Sequence, residues 1–447
     1  MNETICAVAT AHGVGSVSII RISGINSLDI AKKLSHADTF APRYATLLPV
    51  YAADNSIIDE AIFLYFKAPH SFTGEDIVEV QCHGGFIVAQ LVLKTVLGYD
   101  ARLANPGEFS KRAFLNNKID LSKAEAIAAL IEAKSDDAVK ILATQLRGSL
   151  GRYVDNIRDE LLYVLAYSEV SIDYAEEDLP KDLIEQMISK LNALHASLAD
   201  TLQASKSREG LMQGFKVSIV GRPNVGKSSL LNMLLNYNRA IVSEIAGTTR
   251  DTIEESVKIG THLVRIIDTA GIREADDEIE RIGIERSIEA IDKSDIVIAL
   301  FDNSRAFDDE DAQILRILKQ YKTKKEIIAI LNKIDLDNHF DLSKLSEFDY
   351  IKQNSKENAR KLIDKLQAIL DKNNFSDETM LVSLRQIEAV SKAMQAITDA
   401  KGHLLDQELE IFSFCITEAI HAISSITKAF ENDEMLDKMF GSFCLGK

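Results

Sequence analysis

The chain has 447 residues, enough for about three domains of ordinary size, and its formal net charge of −17 argues against a broad electrostatic attraction to nucleic acid, whose phosphates favour basic surfaces. Its apolar runs stay short of the ~18 residues of a membrane span, and its first ten residues lack the basic and apolar stretches of a signal peptide. The four cysteines are scattered, without the spacing of a zinc site or a disulfide framework. These features predict a cytoplasmic protein without a membrane segment.

The N-terminal segment, residues 1–118, is predicted to form an α+β domain. Runs rich in strand-forming residues lie at 17–22, 61–66 and 77–81, and glycine and proline clusters separate them. Such runs between turn-forming residues are typical of strands in a mixed sheet.

From Asp120 the pattern changes to that of long helices. Ser122 and Glu125 have the spacing of a capping box, and apolar residues then recur every three or four positions. The same pattern returns near the C-terminus. We therefore predict a helical bundle domain in two parts, 119–208 and 375–447.

Between these two parts, residues 209–374 alternate short apolar runs with helical stretches, which is typical of a parallel sheet wrapped by helices. An inserted domain is tolerated when its two ends lie close together. We predict an inserted α/β domain here. Its predicted strands are 216–220, 263–267, 296–301 and 326–331.

A phosphate-binding loop follows the first of these strands. Residues 221–228 read Gly-Arg-Pro-Asn-Val-Gly-Lys-Ser, which fits the pattern of a loop between a strand and a helix that cradles phosphates. The glycines let backbone N–H groups converge on the phosphates, Lys227 offers charge to the β and γ phosphates, and Ser228 can ligate Mg²⁺. For this pattern alone, a glycine-rich turn without a ligand is the alternative.

Two later motifs indicate a guanine nucleotide. Asp268-Thr-Ala-Gly271 follows an apolar run, where the carboxylate can hold the Mg²⁺ shell and the glycine N–H can meet the γ-phosphate. Asn332-Lys333-Ile-Asp335 ends a later strand, and Asp335 can accept hydrogen bonds from N1 and the exocyclic amine of guanine. Adenine would leave that carboxylate unpaired, while the Lys333 stem can cover the ring and Asn332 can support the loop.

Two further segments indicate a nucleotide site less specifically than these motifs do. Residues 247–251 read Gly-Thr-Thr-Arg-Asp, and in this switch loop Thr249 is the first candidate for a Mg²⁺ ligand and Thr248 the second, with a polar turn as the alternative. Residues 351–356 read Ile-Lys-Gln-Asn-Ser-Lys where a Ser-Ala-Lys type of loop is expected, so the residue that covers the base stays unassigned.

The motifs do not identify the residue that positions the attacking water. Ile272 stands where many small GTPases carry a glutamine, and an isoleucine cannot orient water. The candidates are the carboxylates that follow in the second switch region, namely Glu274, Asp276, Asp277, Glu278 and Glu280.

The chain resembles the MnmE (TrmE) family of tRNA wobble-uridine modification GTPases from Thr4 to Lys447. Its most specific stretches are 21–24 (RISG), 80–85 (VQCHGG), 106–109 (PGEF), 112–116 (RAFLN), 221–229 (GRPNVGKSS), 245–251 (IAGTTRD), 268–273 (DTAGIR), 280–286 (ERIGIER) and 443–447 (FCLGK).

For the N-terminal domain, this resemblance implies a homodimer and a site for a tetrahydrofolate derivative in the 5,10-methylene or 5-formyl form. Arg21 is the first matching folate-site position, followed by Glu79 and Arg112, and a guanidinium suits the polar groups of folate. Cys444 matches a cysteine that faces this site. We favour a positional role for it, because a nucleophile would need a lowered thiol pKa.

For residues 209–374, the resemblance implies an inserted Ras-like P-loop GTPase domain. Two such domains would dimerise across their switches around K⁺, which replaces an arginine finger. Asn224 matches the K⁺-ligating asparagine, with Ser243, Ile245 and Thr248 as further ligands, and Glu280 matches the carboxylate that positions the water. We thus predict Glu280, Lys227 and Asn224 as catalytic residues and Ser228, Thr249 and Asp268 as Mg²⁺ ligands. The predicted GTP contacts are Asn224, Val225, Gly226, Lys227, Ser228, Ser229, Ser243, Glu244, Ile245, Ala246, Gly247, Thr248, Thr249, Asp268, Thr269, Ala270, Gly271, Asn332, Lys333 and Asp335.

The implied partner is MnmG, an FAD protein, and together the two would add an aminomethyl-type group to C5 of the tRNA wobble uridine. A partner that supplies most of the tRNA contact fits the acidic charge of this chain. Two alternatives remain: a regulatory switch of the ribosome-assembly type without modification chemistry, and a folate-binding protein in which the GTPase is a passenger.

Overall fold

The computed structural model describes residues 3–11, 13–173, 181–207, 209–238, 255–267, 288–354, 360–371, 379–428 and 433–441, with Phe443 and Gly446. The chain divides into two compact units. The first contains residues 1–129, 145–195 and 388–447, and the second contains 130–144 and 196–387.

The first unit contains a six-stranded sheet within its described residues, in the order β3-β4-β5-β2-β1-β6. All neighbouring strands are antiparallel except β1 and β6, which run parallel. The strands are β1 Thr4–Val8, β2 Val17–Ser23, β3 Ala45–Tyr51, β4 Ile57–Phe66, β5 Ile77–His83 and β6 Ala101–Leu103.

Alternation along these strands produces the core of the sheet. Ile20 and Ile22 of β2 and Val78 and Val80 of β5 are fully or almost fully buried, because every second side chain of a strand points to the same face. Helices α1 Ser27–Ser35 and α2 Phe86–Leu97 contribute apolar side chains to the same buried cluster, and α3 Glu108–Leu115 follows β6.

Long helices follow this sheet along the chain. In α6, Ser149–Asp173, buried Leu150, Val154, Ile157, Leu161 and Val164 recur every three or four residues, and this helix packs on α13, Leu409–Ser424. The helices outside the second sheet are α4 Leu121–Glu132, α5 Asp136–Leu146, α6 Ser149–Asp173, α7 Lys181–Ser207, α8 Glu209–Gln213, α12 Leu384–Leu405, α13 Leu409–Ser424 and α14 Asp433–Gly441.

The second unit also has six strands among its described residues, in the order β12-β11-β10-β7-β9-β8, and all pairs are parallel except the β8–β9 hairpin. The strands are β7 Phe215–Gly221, β8 Glu255–Ile259, β9 His262–Ile267, β10 Ile296–Asp302, β11 Glu326–Asn332 and β12 Tyr350–Lys352. The helices are α9 Lys227–Asn238, α10 Asp309–Tyr321 and α11 Arg360–Asp371.

Strand β10 is buried along its whole length, because helices cover both faces of the sheet. Ile296, Ile298 and Leu300 join the cluster that contains α9 and α11, whereas Val297 and Phe301 join the cluster that contains α10. The carboxyl ends of β7, β10 and β11 are therefore neighbours at one edge, where open α/β sheets bind their ligands.

The two sheets and the long helices confirm the predicted fold class of mixed α/β and all-α parts. In the described part of the chain, no helix combines the length and the apolar character that a membrane crossing requires.

Candidate functional site

The phosphate-binding loop connects the end of β7 to the start of α9, as predicted. Asn224 adopts the left-handed conformation at φ 57° and Gly226 has φ 107°, while Val225 between them is 1% exposed and belongs to the core. A Cβ at Gly221 would lie 2.8 Å from the Leu300 carbonyl oxygen, so glycine is needed where this loop leaves the sheet. The buried Val225 and the close approach at Gly221 thus fix the loop that leads from β7 into α9.

Lys227 is the first residue of α9 and reaches back over this loop. Its Nζ donates to the carbonyl oxygens of Gly221 at 2.7 Å and Arg222 at 2.9 Å, and burial lowers the pKa of Lys227. An ammonium group has three N–H donors, so this geometry leaves one donor for a phosphate oxygen. Ser228 and Ser229 follow in the first turn of α9 and are exposed, and the N-terminus of a helix attracts anions.

Arg222 connects the same loop to the start of α10. Its guanidinium lies 2.5 Å from the Asp308 carboxylate and 3.5 Å from that of Asp311. Burial lowers the pKa of Arg222, but the hydrogen bond that it donates to Asp308 and the charges of the nearby carboxylates outweigh this effect, so the pKa lies above its ordinary value. Arg222, at the variable second position of the phosphate-binding motif, therefore pairs with carboxylates at the start of α10.

The guanine motif lies directly beside the phosphate-binding loop. Asn332, the last residue of β11, is 2% exposed, and its Nδ2 donates to the Val225 carbonyl oxygen at 2.7 Å. Lys333 follows in the left-handed conformation at φ 60°, and Asp335 is exposed two residues later. The structure thus brings together the two motifs that the sequence places more than a hundred residues apart.

Lys333 pairs with a carboxylate at the end of the neighbouring strand β10. Its Nζ lies 2.6 Å from Asp302 Oδ2, while Asp302 Oδ1 accepts from the backbone N–H of Ser304 at 2.9 Å and from its hydroxyl at 2.6 Å. Burial raises the pKa of Asp302, but these hydrogen bonds outweigh it and hold that pKa below its ordinary value. Asp302 was not predicted, although a buried polar residue at the end of an apolar strand was a usable signal.

A second cluster lies in the first unit and contains the predicted folate residues. Arg21 of β2 and Glu79 of β5 are partners in register, and Arg21 Nε and Nη2 donate to Glu79 Oε1 at 3.0 and 2.9 Å. The Arg21 guanidinium lies 5.9 Å from the ring centre of Phe72 and 5.7 Å from that of Phe109. Its Nη1 also donates to the Gly446 carbonyl oxygen at 3.4 Å, so the C-terminal tail reaches this cluster.

Arg112 lies in the same unit but is 3% exposed. Its Nη1 donates to Glu75 at 3.0 Å and its Nη2 to Glu108 at 3.0 Å. Its Nε is buried without a hydrogen-bond partner among the residues that the structure describes.

Both switch segments and Cys444 of the C-terminal tail lie outside the described residues. The predicted switch residues concerned are Ser243, Glu244, Ile245, Ala246, Gly247, Thr248, Thr249, Asp268, Thr269, Ala270, Gly271 and Glu280. In the base-covering loop, residues 351 and 352 end β12, and residues 355 and 356 are also outside the described ranges.

Comparison with known proteins identifies the family. Residues 4–118 match the model described as the GTP-binding protein TrmE N-terminus, and residues 121–444 match the MnmE helical domain. The tRNA modification GTPase MnmE of Sulfurimonas denitrificans is 66% identical over 445 residues, which cover 100% of this chain and 99% of the relative. The chain belongs to the MnmE family of tRNA modification GTPases.

Other MnmE proteins support this assignment at similar coverage. Those of Aliarcobacter butzleri and Sulfurovum sp. are 58% and 57% identical, each over 100% of this chain and 99% of the relative. Among solved structures, the match to the G domain of the T. maritima FeoB iron transporter covers 35% of this chain and 98% of that chain at 22% identity, with a TM-score of 0.26. The predicted family and the predicted GTPase class are confirmed.

Proposed function

We propose that this MnmE-family chain is a K⁺-stimulated, Mg²⁺-dependent GTP hydrolase that acts with MnmG on the wobble uridine of tRNA. In this proposal the two proteins install an aminomethyl or carboxymethylaminomethyl group at C5, and a tetrahydrofolate derivative donates the carbon. The observation that carries the GTP part is the 2.7 Å hydrogen bond from Asn332 to Val225, which places the guanine motif beside the phosphate-binding loop.

The geometry of this pair of loops supports selection of guanine. Asp335 is exposed at the end of the motif and can accept two hydrogen bonds from N1 and the exocyclic amine. The buried Asn332 fixes the distance between this motif and the phosphate-binding loop. That distance must match the separation between the base and the phosphates of the bound nucleotide. A base without those donors would leave the Asp335 carboxylate unpaired in the closed site.

For hydrolysis we propose that Ser228, Thr249 and Asp268 hold Mg²⁺, which neutralises charge between the β and γ phosphates. Asn224 is exposed at the rim of the loop and would ligate K⁺ together with Ser243, Ile245 and Thr248. In that arrangement Lys227 stabilises the phosphates with its remaining N–H donor. Glu280 would position the water.

For folate we propose the cluster around Arg21 and Glu79. A guanidinium and a carboxylate, with the partly exposed Phe72 ring 5.9 Å from the guanidinium, offer both polar and stacking contacts to a flat heterocycle. Arg21 also donates to the carbonyl oxygen of Gly446, and Cys444, which we propose to face the folate site, stands two positions earlier in the sequence. Arg112 would contribute its Nε, which is buried without a hydrogen-bond partner in the described part of the chain.

The proposed organisation follows from the sequence and the family. Residues 1–118 would bind folate and form the homodimer, 119–208 and 375–447 would form the helical domain, and 209–374 would form the inserted GTPase domain. Other proposed features are a cytoplasmic location and contact with tRNA made mainly through MnmG, since this chain carries a net charge of −17.

The test is the GTP hydrolysis rate in KCl and in NaCl at matched ionic strength, over a range of protein concentrations. We expect strong stimulation by K⁺ that rises with protein concentration and that Asn224→Ala removes. Asn236→Ala is the matched control, because Asn236 is exposed on the same helix α9 but beyond the loop. Equal rates in both salts would refute the K⁺-dependent mechanism and favour a regulatory GTPase switch.

A further inference from the structure

The end of strand β10 carries a carboxylate that the hydrolysis chemistry does not use. The Asp302 side chain is 5% exposed, and each of its two carboxylate oxygens has a different partner. Oδ1 closes a turn with the backbone N–H and hydroxyl of Ser304, and Oδ2 receives the Lys333 ammonium at 2.6 Å. A charged group this far buried is expected to have such a specific partner.

Backbone contacts connect the same strand end to the rest of the guanine motif. The N–H of Asn303 donates to the Asn332 carbonyl oxygen at 2.9 Å, and Asn303 Nδ2 donates to the Leu336 carbonyl oxygen at 3.3 Å. The N–H of His339 donates to the Asn303 carbonyl oxygen at 2.9 Å. The loop that contains Asp335 is therefore held by its contacts with residues 302 and 303 at the end of β10. It is also held by the hydrogen bond from Asn332 to Val225 in the phosphate-binding loop.

Lys333 is the residue of this loop that most needs such support. Its φ of 60° lies in the left-handed region, where a residue with a side chain is strained and persists only if its surroundings impose the conformation. Its side chain has four flexible carbons, and its ammonium would otherwise be hydrated away from the loop. The pair with Asp302 anchors the tip of this side chain.

We propose that Asp302 is a positioning residue for guanine recognition, which acts by holding Lys333 in the conformation that lays its stem along the face of the base. This inference rests on the proposed guanine site and adds a residue that none of the sequence motifs contains. Asp302 itself would not touch the nucleotide. Its effect comes from pre-organisation, because a side chain that is already ordered loses less conformational freedom when the ligand binds.

The test compares nucleotide affinity with turnover in the full chain. Asp302→Asn keeps an oxygen for the Ser304 turn and nearly the same volume but removes the charge that holds Lys333. We expect the Kd for a fluorescent GDP analogue and the KM for GTP to rise about tenfold, with kcat at saturating GTP within about twofold. Asp302→Ser, which leaves a smaller hydroxyl at the turn, should show the same split if the first variant does not fold.

Asp341→Asn is the matched control. Asp341 Oδ1 accepts from the backbone N–H of Ser343 at 3.0 Å and from its hydroxyl at 2.7 Å, so it closes the same kind of turn at an exposed site outside the motif. This variant should bind the GDP analogue with the affinity of the unmodified protein.

A double-mutant cycle decides whether Asp302 acts through Lys333. If it does, Asp302→Asn combined with Lys333→Met binds the GDP analogue no more weakly than Lys333→Met alone. Additive losses, or unchanged affinity of Asp302→Asn, would overturn the positioning role while leaving the guanine site intact. If the unmodified protein fails to bind the GDP analogue, the proposed function falls, and this inference falls with it.

Discussion

Glu108 lies between two arginine side chains in the first unit, and we expect Glu108→Gln to destabilise that unit strongly at neutral pH. Its Oε1 accepts from Arg102 at 2.6 Å and from Arg112 at 3.0 Å, and its Oε2 accepts from the backbone N–H of Asn105 at 2.9 Å. The carboxylate is 11% exposed. Glutamine removes the charge and puts N–H donors where the arginines need an acceptor.

The size of the effect follows from the pKa of Glu108. Burial raises this pKa, but the bonds from Arg102, Asn105 and Arg112 outweigh it and lower the pKa from 4.5 to about 2. A carboxyl group with a lowered pKa stabilises the folded state fully above its unfolded value and loses that contribution as the pH falls towards its folded value. The charge is thus worth about 3 kcal/mol at pH 7 and about 1 kcal/mol at pH 3.

The assay is hydrogen–deuterium exchange of peptides that cover β6 and α3, corrected for the intrinsic exchange rate at each pH. The variant should lose protection at pH 7, and the difference from the unmodified protein should shrink on acidification. Glu60→Gln, at an exposed position of β4, is the control and should change little. Equal protection of the two proteins at pH 7, or a difference that stays constant down to pH 3, would show that the carboxylate charge does not stabilise this cluster.

Two further variants test other parts of the molecule. Asn332→Ala leaves the Val225 carbonyl oxygen without its 2.7 Å partner, so GDP affinity measured by calorimetry should fall by about 1–2 kcal/mol, and an unchanged affinity would contradict the link between the loops. Gly446→Ala places a Cβ against the Val8 carbonyl oxygen at a φ of 90°, so the tail should detach and binding of a formyl-tetrahydrofolate should weaken, with GTP hydrolysis retained. Gly441→Ala is its control, since a Cβ there meets nothing within 4 Å, and equal losses in both variants would argue against a specific seat for the tail.

Much of the nucleotide site was predictable because its signals are local. The phosphate-binding loop needs glycines, a lysine and a serine within eight consecutive positions, and these positions lie between a strand and a helix in the structure, as their spacing requires. The apolar runs of β7, β10 and β11 were also visible, because strands buried on both faces read as continuous apolar segments. The order of these segments then indicated a parallel sheet.

The partners of the charged residues were not predictable in this way. Arg21 and Glu79 are 58 positions apart, and they meet because β2 and β5 pair in one particular register, which a shift by one residue would destroy. The contact of Arg21 with Gly446 spans 425 positions. Sequence periodicity contains no information about such distances along the chain.

The amino-acid sequence by itself determined the family, the fold class and the presence of motifs typical of a guanine-nucleotide site, because each depends on residue types at short spacing. Only the tertiary structure decided that Asp302 holds Lys333 and that Asn332 touches the phosphate-binding loop. The first contact joins the ends of the neighbouring parallel strands β10 and β11, and the second reaches from the end of β11 past β10 to the loop that follows β7. The physical reason is that side-chain pairing is set by sheet order and register, which emerge from packing of the whole core.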